Sequence, residues 1–215
     1  MMANGVAEGS AAGEDPGSGG QLVLLIDLER CTGCRACEAA CKLENRLGEG
    51  IFRNRVFWLA PADQGERFEF VVSVCQQCAR PACLRACGAD AIAKDPATGV
   101  VEIDWARCTG CQECVLACPY GAIGFDYRRH KAEKCDLCAD RRATGRGGPA
   151  CAAACPGRAI RFGERQALVA DARTEGRAVR DVDHFGLTPG TVYLERLAPR
   201  AAGGGQEDEA SRVRS

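Results

Sequence analysis

The distribution of cysteine constrains this chain more than any other feature of its sequence. Sixteen of its 215 residues are cysteine, and they fall into four groups of four with none left over. A share this high makes cysteine chemistry the first question to ask of the chain. We call the groups the first to fourth quartets: Cys31, Cys34, Cys37 and Cys41; Cys75, Cys78, Cys83 and Cys87; Cys108, Cys111, Cys114 and Cys118; Cys135, Cys138, Cys151 and Cys155.

The spacing within the quartets points to iron-sulfur clusters. In the first and third quartets two residues separate each of the first three cysteines and three residues precede the last, which is the bacterial ferredoxin spacing. One loop can then bring three thiolates to a cubane, while the last cysteine serves a neighbouring cluster. The second quartet widens the middle gap to four residues, and the fourth widens it to twelve over the Arg- and Gly-rich segment 139–150. Sixteen thiolates would serve four 4Fe-4S clusters.

Two other uses of cysteine stay open as alternatives. Zinc sites more often take two separated Cys-x2-Cys pairs, which leaves the third closely spaced cysteine of the first and third quartets without a role. Disulfides between near neighbours on one loop would be strained. The first twenty residues carry no visible Sec or Tat signal, so we expect a compartment in which thiols stay reduced.

The quartets repeat beyond their cysteines. An Ala-Ile pair lies four and five residues after the last cysteine of the second, third and fourth quartets, at Ala91-Ile92, Ala122-Ile123 and Ala159-Ile160. Each pair opens a short β-prone run, and residues 100–104 supply a hairpin partner for the first of them. Small or helix-forming residues before each last cysteine predict a single helical turn. We therefore predict an α+β fold of duplicated bacterial ferredoxin-like modules with short hairpins and short helices.

Composition divides the chain into four segments. They are predicted disordered tails at 1–20 and 201–215, a tandem four-cluster domain at 21–163 and a C-terminal extension at 164–200. Within the four-cluster domain, the first and fourth quartets form one module and the second and third form an inserted module. The extension is predicted to hold a helix over 165–180 and a strand over 191–197.

Charge and hydropathy exclude several classes of protein. Lys and Arg number 28 against 29 Asp and Glu, so no basic field favours nucleic acid. The longest aliphatic run, residues 22–26, is far shorter than the roughly 20 apolar residues that a membrane span needs. Two histidines, His130 and His184, are too few for a multi-haem protein. No nucleophile-base pair stands out, so we expect no catalytic residue in this chain.

Two further sets of residues, one basic and one aromatic, are interpreted as structural. We interpret one basic set as compensating the charge of about −2 that each cluster with four thiolates carries. This set consists of the basic residues at 128–131 with Arg141, Arg142 and Arg146. The alternative is a docking face, in which segment 139–150 is a mobile polar loop that orders on a partner. The aromatic residues predicted to pack in the core are Phe52, Phe57, Trp58, Phe68, Phe70 and Trp105.

The order of the quartets and the two widened gaps resemble a known family, the four-cluster electron-transfer subunits of molybdopterin oxidoreductases. This family includes the iron-sulfur subunits of dimethyl sulfoxide, polysulfide, thiosulfate and tetrathionate reductases and of formate dehydrogenase. The resemblance covers residues 22–197 and implies that each cluster takes three cysteines from one quartet and one from another. The implied sets are centre I (Cys31, Cys34, Cys37, Cys155), centre II (Cys135, Cys138, Cys151, Cys41), centre III (Cys75, Cys78, Cys83, Cys118) and centre IV (Cys108, Cys111, Cys114, Cys87).

The resemblance also implies a function. Members relay electrons between a catalytic subunit with a molybdenum or tungsten pterin and either a membrane quinone-reactive subunit or a soluble acceptor, with centres I and II facing the catalytic partner. The expected location is the cytoplasm or a membrane reached through partners, and export together with a Tat-bearing partner stays open. Two hypotheses of other classes are a free polyferredoxin, against which the C-terminal extension argues, and a cluster-assembly or structural zinc protein, which conflicts with the complete quartets.

Overall fold

The computed structural model describes residues 20–60 and 68–197, so the predicted tails, apart from Gly20, lie outside the described residues. The fold is a small α+β arrangement of short helices and short strands. Its elements in chain order are β1 (Leu22–Asp27), α1 (Ala36–Glu44), β2 (Asn54–Leu59), β3 (Glu69–Val74), α2 (Ala82–Arg85), β4 (Ile92–Lys94), β5 (Val101–Ile103), α3 (Glu113–Ala117), β6 (Ile123–Asp126), β7 (Lys131–Lys134), α4 (Ala139–Ala143), α5 (Ala150–Ala153), β8 (Ile160–Glu164), α6 (Arg165–Thr174), β9 (Val179–Arg180) and β10 (Val192–Leu194).

A four-stranded sheet joins the two ends of the described chain. Its order is β8-β1-β10-β9, with β1 antiparallel to β8 and parallel to β10. Both faces of β1 are covered, because Val23 and Leu25 pack under α6 while Leu24 and Ile26 enter the main core. This explains why an unbroken aliphatic strand is stable here: it is buried on two sides. The main core on its second face also contains cysteines.

Three antiparallel hairpins complete the strands. They are β2-β3, β4-β5 and β6-β7. The predicted hairpin between the run at Ala91-Ile92 and residues 100–104 is confirmed, since Ile92 pairs with Ile103 and Lys94 with Val101. No helix within the described ranges combines the length and apolarity needed to cross a bilayer.

The C-terminal extension differs from its prediction in one respect. The helix ends at Thr174 instead of continuing to residue 180, because Gly176 adopts a left-handed φ of 70° and closes the helix. The chain then returns as β9, which pairs with β10. The predicted strand within 191–197 is confirmed as β10.

The prediction that the aromatic residues pack in the core is wrong for three of them. Phe57, Trp58 and Phe68 are 47%, 58% and 53% exposed. The reason is that the hairpin β2-β3 has only two strands, and only one of its faces packs on the core, through residues such as Val56 and Val72. Phe57 therefore projects from its other face, whereas Trp58 and Phe68 lie on the same side as Val56, beyond the end of the core. We call the exposed aromatic surface of Trp58 and Phe68 the hairpin face.

Candidate metal centres

Each quartet ends with two cysteines that lie about one helical turn apart. The late cysteine follows the third by four residues, which on a helix corresponds to a rise of about 6 Å. These four pairs lie on or directly after helices α1, α2, α3 and α5. The pairs are Cys37 with Cys41, Cys83 with Cys87, Cys114 with Cys118, and Cys151 with Cys155. Each late cysteine is thus carried away from the loop of its own quartet.

The four cysteine loops share one backbone turn. The residue before the second cysteine has a left-handed φ in every loop: 69° at Gly33, 47° at Gln77, 77° at Gly110 and 55° at Leu137. Glycine is required at two of these positions, because a Cβ at Gly33 would lie 2.6 Å from the ring of Phe70 and one at Gly110 would lie 2.5 Å from a backbone oxygen. The same local conformation therefore recurs four times along the chain.

Strand pairing brings the late cysteine of one quartet to the loop of another. Ile26 lies five residues before the first quartet and pairs with Ile160, which lies five residues after the fourth. Ile103 and Ile92 hold the same positions around the third and second quartets and are also paired. This register places Cys155 beside the first loop and Cys87 beside the third, as centres I and IV require.

Two small cavities are lined by these two sets of thiols. One is lined by all four cysteines of centre I and by Val56, Val72 and Ile160. The other is lined by all four cysteines of centre IV. Backbone N–H groups four residues on donate to the late sulfurs, at 3.2 Å to Cys155 and 3.2 Å to Cys87. Among the described residues, no group of three or more His, Cys, Asp or Glu is arranged to hold a single metal ion, and these thiols surround cavities instead.

Helix packing brings together the thiols of centres II and III. Helix α1 packs on α5, and α2 packs on α3. Burial raises the pKa of the Cys41 thiol to about 12, and the neighbouring Cys138 adds to the rise. Burial likewise raises the pKa of Cys78 to about 12, to which Cys75, Cys83 and Cys118 add. In each case the thiol that interacts across quartets is the one that the resemblance implies.

The four sets of thiols follow one another in a line. Burial raises the pKa of Cys151 in centre II, and Cys37 of centre I is among the thiols that add to it. Burial also raises the pKa of Cys135 in centre II, to which Cys75 of centre III contributes. Cysteines of centres III and IV share one apolar cluster. The two exposed cysteines, Cys34 and Cys111, belong to centres I and IV, at the ends of this line.

Buried cations show that the interior fits an anionic group. Lys134 is 3% exposed, and among the described residues its ammonium donates only to the backbone oxygens of Val101 and Cys135. Its charge also opposes the rise that burial causes in the pKa of Glu102, but a buried cation that hydrogen-bonds only neutral groups is costly. A 4Fe-4S cluster with four thiolates would supply further negative charge next to Lys134, whose ammonium opposes the rise that burial causes in the pKa of Cys83. The residues present therefore fit iron-sulfur clusters.

The segment 139–150 is more ordered than the predicted polar loop. It contains α4 and the start of α5. Arg141 and Arg146 lie 3.1 Å and 2.8 Å from carboxylate oxygens of Glu44, and Arg142 lies 3.7 Å from Glu102. These arginines are thus paired with carboxylates of the same chain and do not project freely from a polar loop.

Sequence reasoning missed several residues that shape the sites. Asp27 accepts hydrogen bonds at Oδ1 from the N–H groups of Glu29 and Arg30, just before the first quartet, and Asp104 accepts one from Ala106 before the third. The sequence does mark these two aspartates, since residues 26–34 and 103–111 share the pattern Ile-Asp-x-x-Arg-Cys-Thr-Gly-Cys. No comparable signal marks Asn45, which is half-buried, or the buried residues Arg53 and Lys134.

Comparison with known proteins gives a consistent result. Residues 67–165 match a family model described as a 4Fe-4S dicluster domain, and residues 22–43 match a 4Fe-4S binding domain. The thiosulfate reductase electron transfer subunit PhsB of Salmonella typhi is 39% identical over 146 residues, 66% of this chain and 76% of that protein. A sulfite dehydrogenase subunit of Allochromatium vinosum is 34% identical over 205 residues, 84% of this chain and 85% of that protein. The iron-sulfur subunit of formate dehydrogenase-O of Escherichia coli is 30% identical over 186 residues, 78% of this chain and 62% of that protein.

Proposed function

This chain belongs to the family of 4Fe-4S electron-transfer subunits of molybdopterin oxidoreductases, and we propose that it relays electrons through four 4Fe-4S clusters. The electrons pass between a molybdopterin catalytic subunit and a membrane quinone-reactive subunit or a soluble acceptor. The observation that supports this most is the linear order of the four thiol sets, with the exposed cysteines Cys34 and Cys111 in the two terminal sets. A line with two accessible ends is what a conduit between two partners needs.

We assign the ligands as the four crossed sets, centres I to IV. When bound, the clusters supply one-electron chemistry, and the chain supplies their spacing and their surroundings. Strand and helix packing fix the distance between neighbouring sets, and burial of Cys135 and Cys151 keeps water from the middle of the line. Backbone N–H groups and the buried cations Arg53 and Lys134 favour the negatively charged sulfurs.

We place the docking surface for the catalytic subunit on the hairpin face, next to centre I. The indole N–H of Trp58 donates to the backbone oxygen of Gly33 at 3.3 Å, in the loop that carries Cys34. Exposed aromatic surface of this kind is typical of protein interfaces. A permanent partner at this surface, together with the C-terminal extension, also favours a subunit over a freely diffusing polyferredoxin.

Metal analysis of anaerobically purified full-length protein tests the proposal. The ligand count predicts about sixteen iron atoms and no zinc per chain. A content of about eight iron atoms, or stoichiometric zinc, would contradict the four-cluster assignment.

Affinity capture with the catalytic subunit tests the docking surface. We expect Phe68→Ser to weaken capture while iron content stays complete. The matched control is Leu116→Ser, because Leu116 is an apolar residue of α3 that is 81% exposed near centre IV. Equal capture of both variants would exclude the hairpin face as the contact.

A further inference from the structure

Asn45 ends helix α1 and lies between thiols that come from two quartets. Its amide nitrogen is 3.5 Å from the sulfur of Cys41 and 3.7 Å from the sulfur of Cys138, and it also donates to the backbone oxygen of Cys41 at 2.9 Å. Both sulfurs belong to the proposed centre II. The other donors to cysteine sulfur found in the described residues are backbone N–H groups, so Asn45 adds a side-chain donor at this centre.

Arg53 determines which end of the Asn45 amide faces the sulfurs. Its Nη1 donates to Asn45 Oδ1 at 2.8 Å. Because a guanidinium can only donate, the amide oxygen must face Arg53 and the NH2 group must face the thiols. The reverse orientation would put a carbonyl oxygen against sulfur and leave Arg53 facing a second donor.

Arg53 is itself held in place by buried carboxylates. It is 7% exposed; its Nε donates to Glu133, and its Nη1 donates to Asp136 Oδ1 at 2.7 Å. The same oxygen of Asp136 accepts the backbone N–H of Cys138 at 2.8 Å. The orientation of the Asn45 amide is therefore fixed by a network that also positions one of the two thiols.

We propose that Asn45 raises the reduction potential of centre II by turning its NH2 group, which also donates to the backbone oxygen of Cys41, toward two of its sulfurs, and that Arg53 is the positioning residue that holds the amide in this orientation. Reduction adds negative charge to a cluster, and donors to its sulfurs stabilise that charge. The proposal rests on the proposed function, because centre II must be a cluster.

Anaerobic redox titration of the iron-loaded full-length protein, followed by electron paramagnetic resonance, tests the role of Asn45. The signal of centre II is first identified as the one that the Cys151→Ser variant alters. For Asn45→Leu we expect full iron content and reduction of centre II that is about tenfold less favourable, a fall of about 59 mV for a one-electron couple. The matched control is Asn54→Leu, because Asn54 is a buried asparagine that donates to the backbone oxygen of Cys37, at 3.3 Å, instead of to sulfur.

The outcomes separate this inference from the proposed function. An unchanged midpoint of centre II in an iron-complete Asn45→Leu variant overturns the role of Asn45, whereas a wild-type chain without that signal overturns the four-cluster assignment. If Asn45→Leu loses iron, the smaller Asn45→Ala variant, which also removes the donor without adding charge, is titrated instead, and an unchanged midpoint of centre II there refutes the proposal.

The positioning role of Arg53 has its own test. Arg53→Lys keeps the positive charge but loses the planar fork that fixes the amide. We expect it to lower the midpoint of centre II in the wild-type background and to have no further effect in the Asn45→Leu background. Equal effects in both backgrounds would show that Arg53 acts independently of Asn45 and would refute its positioning role.

Discussion

The proposed terminal centres I and IV and the proposed interior centres II and III differ in both cysteine spacing and surroundings. The terminal sets are built on the two quartets with the regular ferredoxin spacing, are completed by strand pairing, and each contains one exposed cysteine. The interior sets are built on the two quartets with a widened middle gap, are completed by helix packing, and lie beside the buried cations Arg53 and Lys134. The packing around each set decides how well the charge of its cluster is compensated and how far the cluster is from water.

This difference has a thermodynamic consequence. At a terminal centre water screens the charge of the cluster, so nearby side chains contribute little. At an interior centre the same charge must be balanced by fixed donors and cations, and those cations are in turn stable only when the anion is present. We expect folding and cluster binding to be most tightly coupled in the interior of the line.

Removing iron is the change with the largest expected effect. Short strands and small-residue helices bury little apolar area, so cluster ligation must supply much of the free energy of folding. We expect the chelated, reduced protein to lose its cooperative thermal transition when followed by circular dichroism. An apoprotein that unfolds cooperatively at the midpoint of the iron-loaded protein would contradict this coupling.

Partial iron removal should distinguish the two kinds of centre. With limiting chelator, we expect the centres that contain Cys34 and Cys111 to lose their signals first, because their ligands are exposed. Loss of the interior signals first would contradict the contrast between terminal and interior centres.

Single ligand substitutions sharpen the comparison at the junction of centres I and II. Cys41→Ser is expected to alter centre II and leave centre I intact, although Cys41 belongs to the same quartet as three ligands of centre I. Cys155→Ser is the reciprocal control and should alter centre I alone. Spectra in which Cys41→Ser alters centre I while centre II stays intact would refute the crossed assignment.

Features of this fold that depend on residues close together in sequence can be predicted from the sequence, and features that depend on distant residues cannot. The hairpin β4-β5 and the short helices follow from neighbouring residues and are predicted correctly. The buried network is not, because Arg53 meets Glu133 from 80 positions away and each residue alone is an ordinary polar residue. The aromatic prediction is wrong at Trp58 for a similar reason, since its exposure depends on how many strands the sheet contains.

The next largest expected effect on stability comes from the turns just before the first and third quartets, which contain Asp27 and Asp104. Asp27 is 1% exposed and accepts two hydrogen bonds from Arg177, at 2.6 Å and 2.9 Å, whereas its counterpart Asp104 is exposed. Breaking a buried pair by removing one partner costs about 3 kcal/mol or more, so Asp27→Asn should destabilise the iron-loaded protein by about that amount. Asp104→Asn should cost less than about 1 kcal/mol. Denaturant unfolding of the two variants checks the contrast.

The destabilisation caused by Asp27→Asn should depend on pH, and the direction of the pKa shift of Asp27 determines how. Burial would raise the pKa of Asp27, but the hydrogen bonds from Arg177 and from backbone N–H groups outweigh burial and lower it below 3.8. Because the pKa of Asp27 is lower in the folded state than in the unfolded state, its contribution to the free energy of unfolding is present above its unfolded-state pKa. That contribution is lost as the pH falls through its folded-state pKa. The stability difference between wild type and Asp27→Asn should therefore narrow below about pH 4. A difference that stays constant down to about pH 3 would contradict this assignment.

The smallest expected effect is the difference in reduction midpoint caused by removing a lysine beside an interior centre and a lysine beside a terminal centre. Lys134 is buried next to centre III, while Lys131 is half-buried and donates to the backbone oxygen of Cys108 in centre IV. Lys134→Met removes a cation from a site that water does not screen, so reduction of centre III should become about tenfold less favourable, about 59 mV for one electron. Lys131→Met should lower the midpoint of centre IV by less than about half of that, because solvent screens the charge there. Redox titration of both iron-loaded variants measures the two shifts, and equal shifts would mean that burial does not separate the interior centres from the terminal ones.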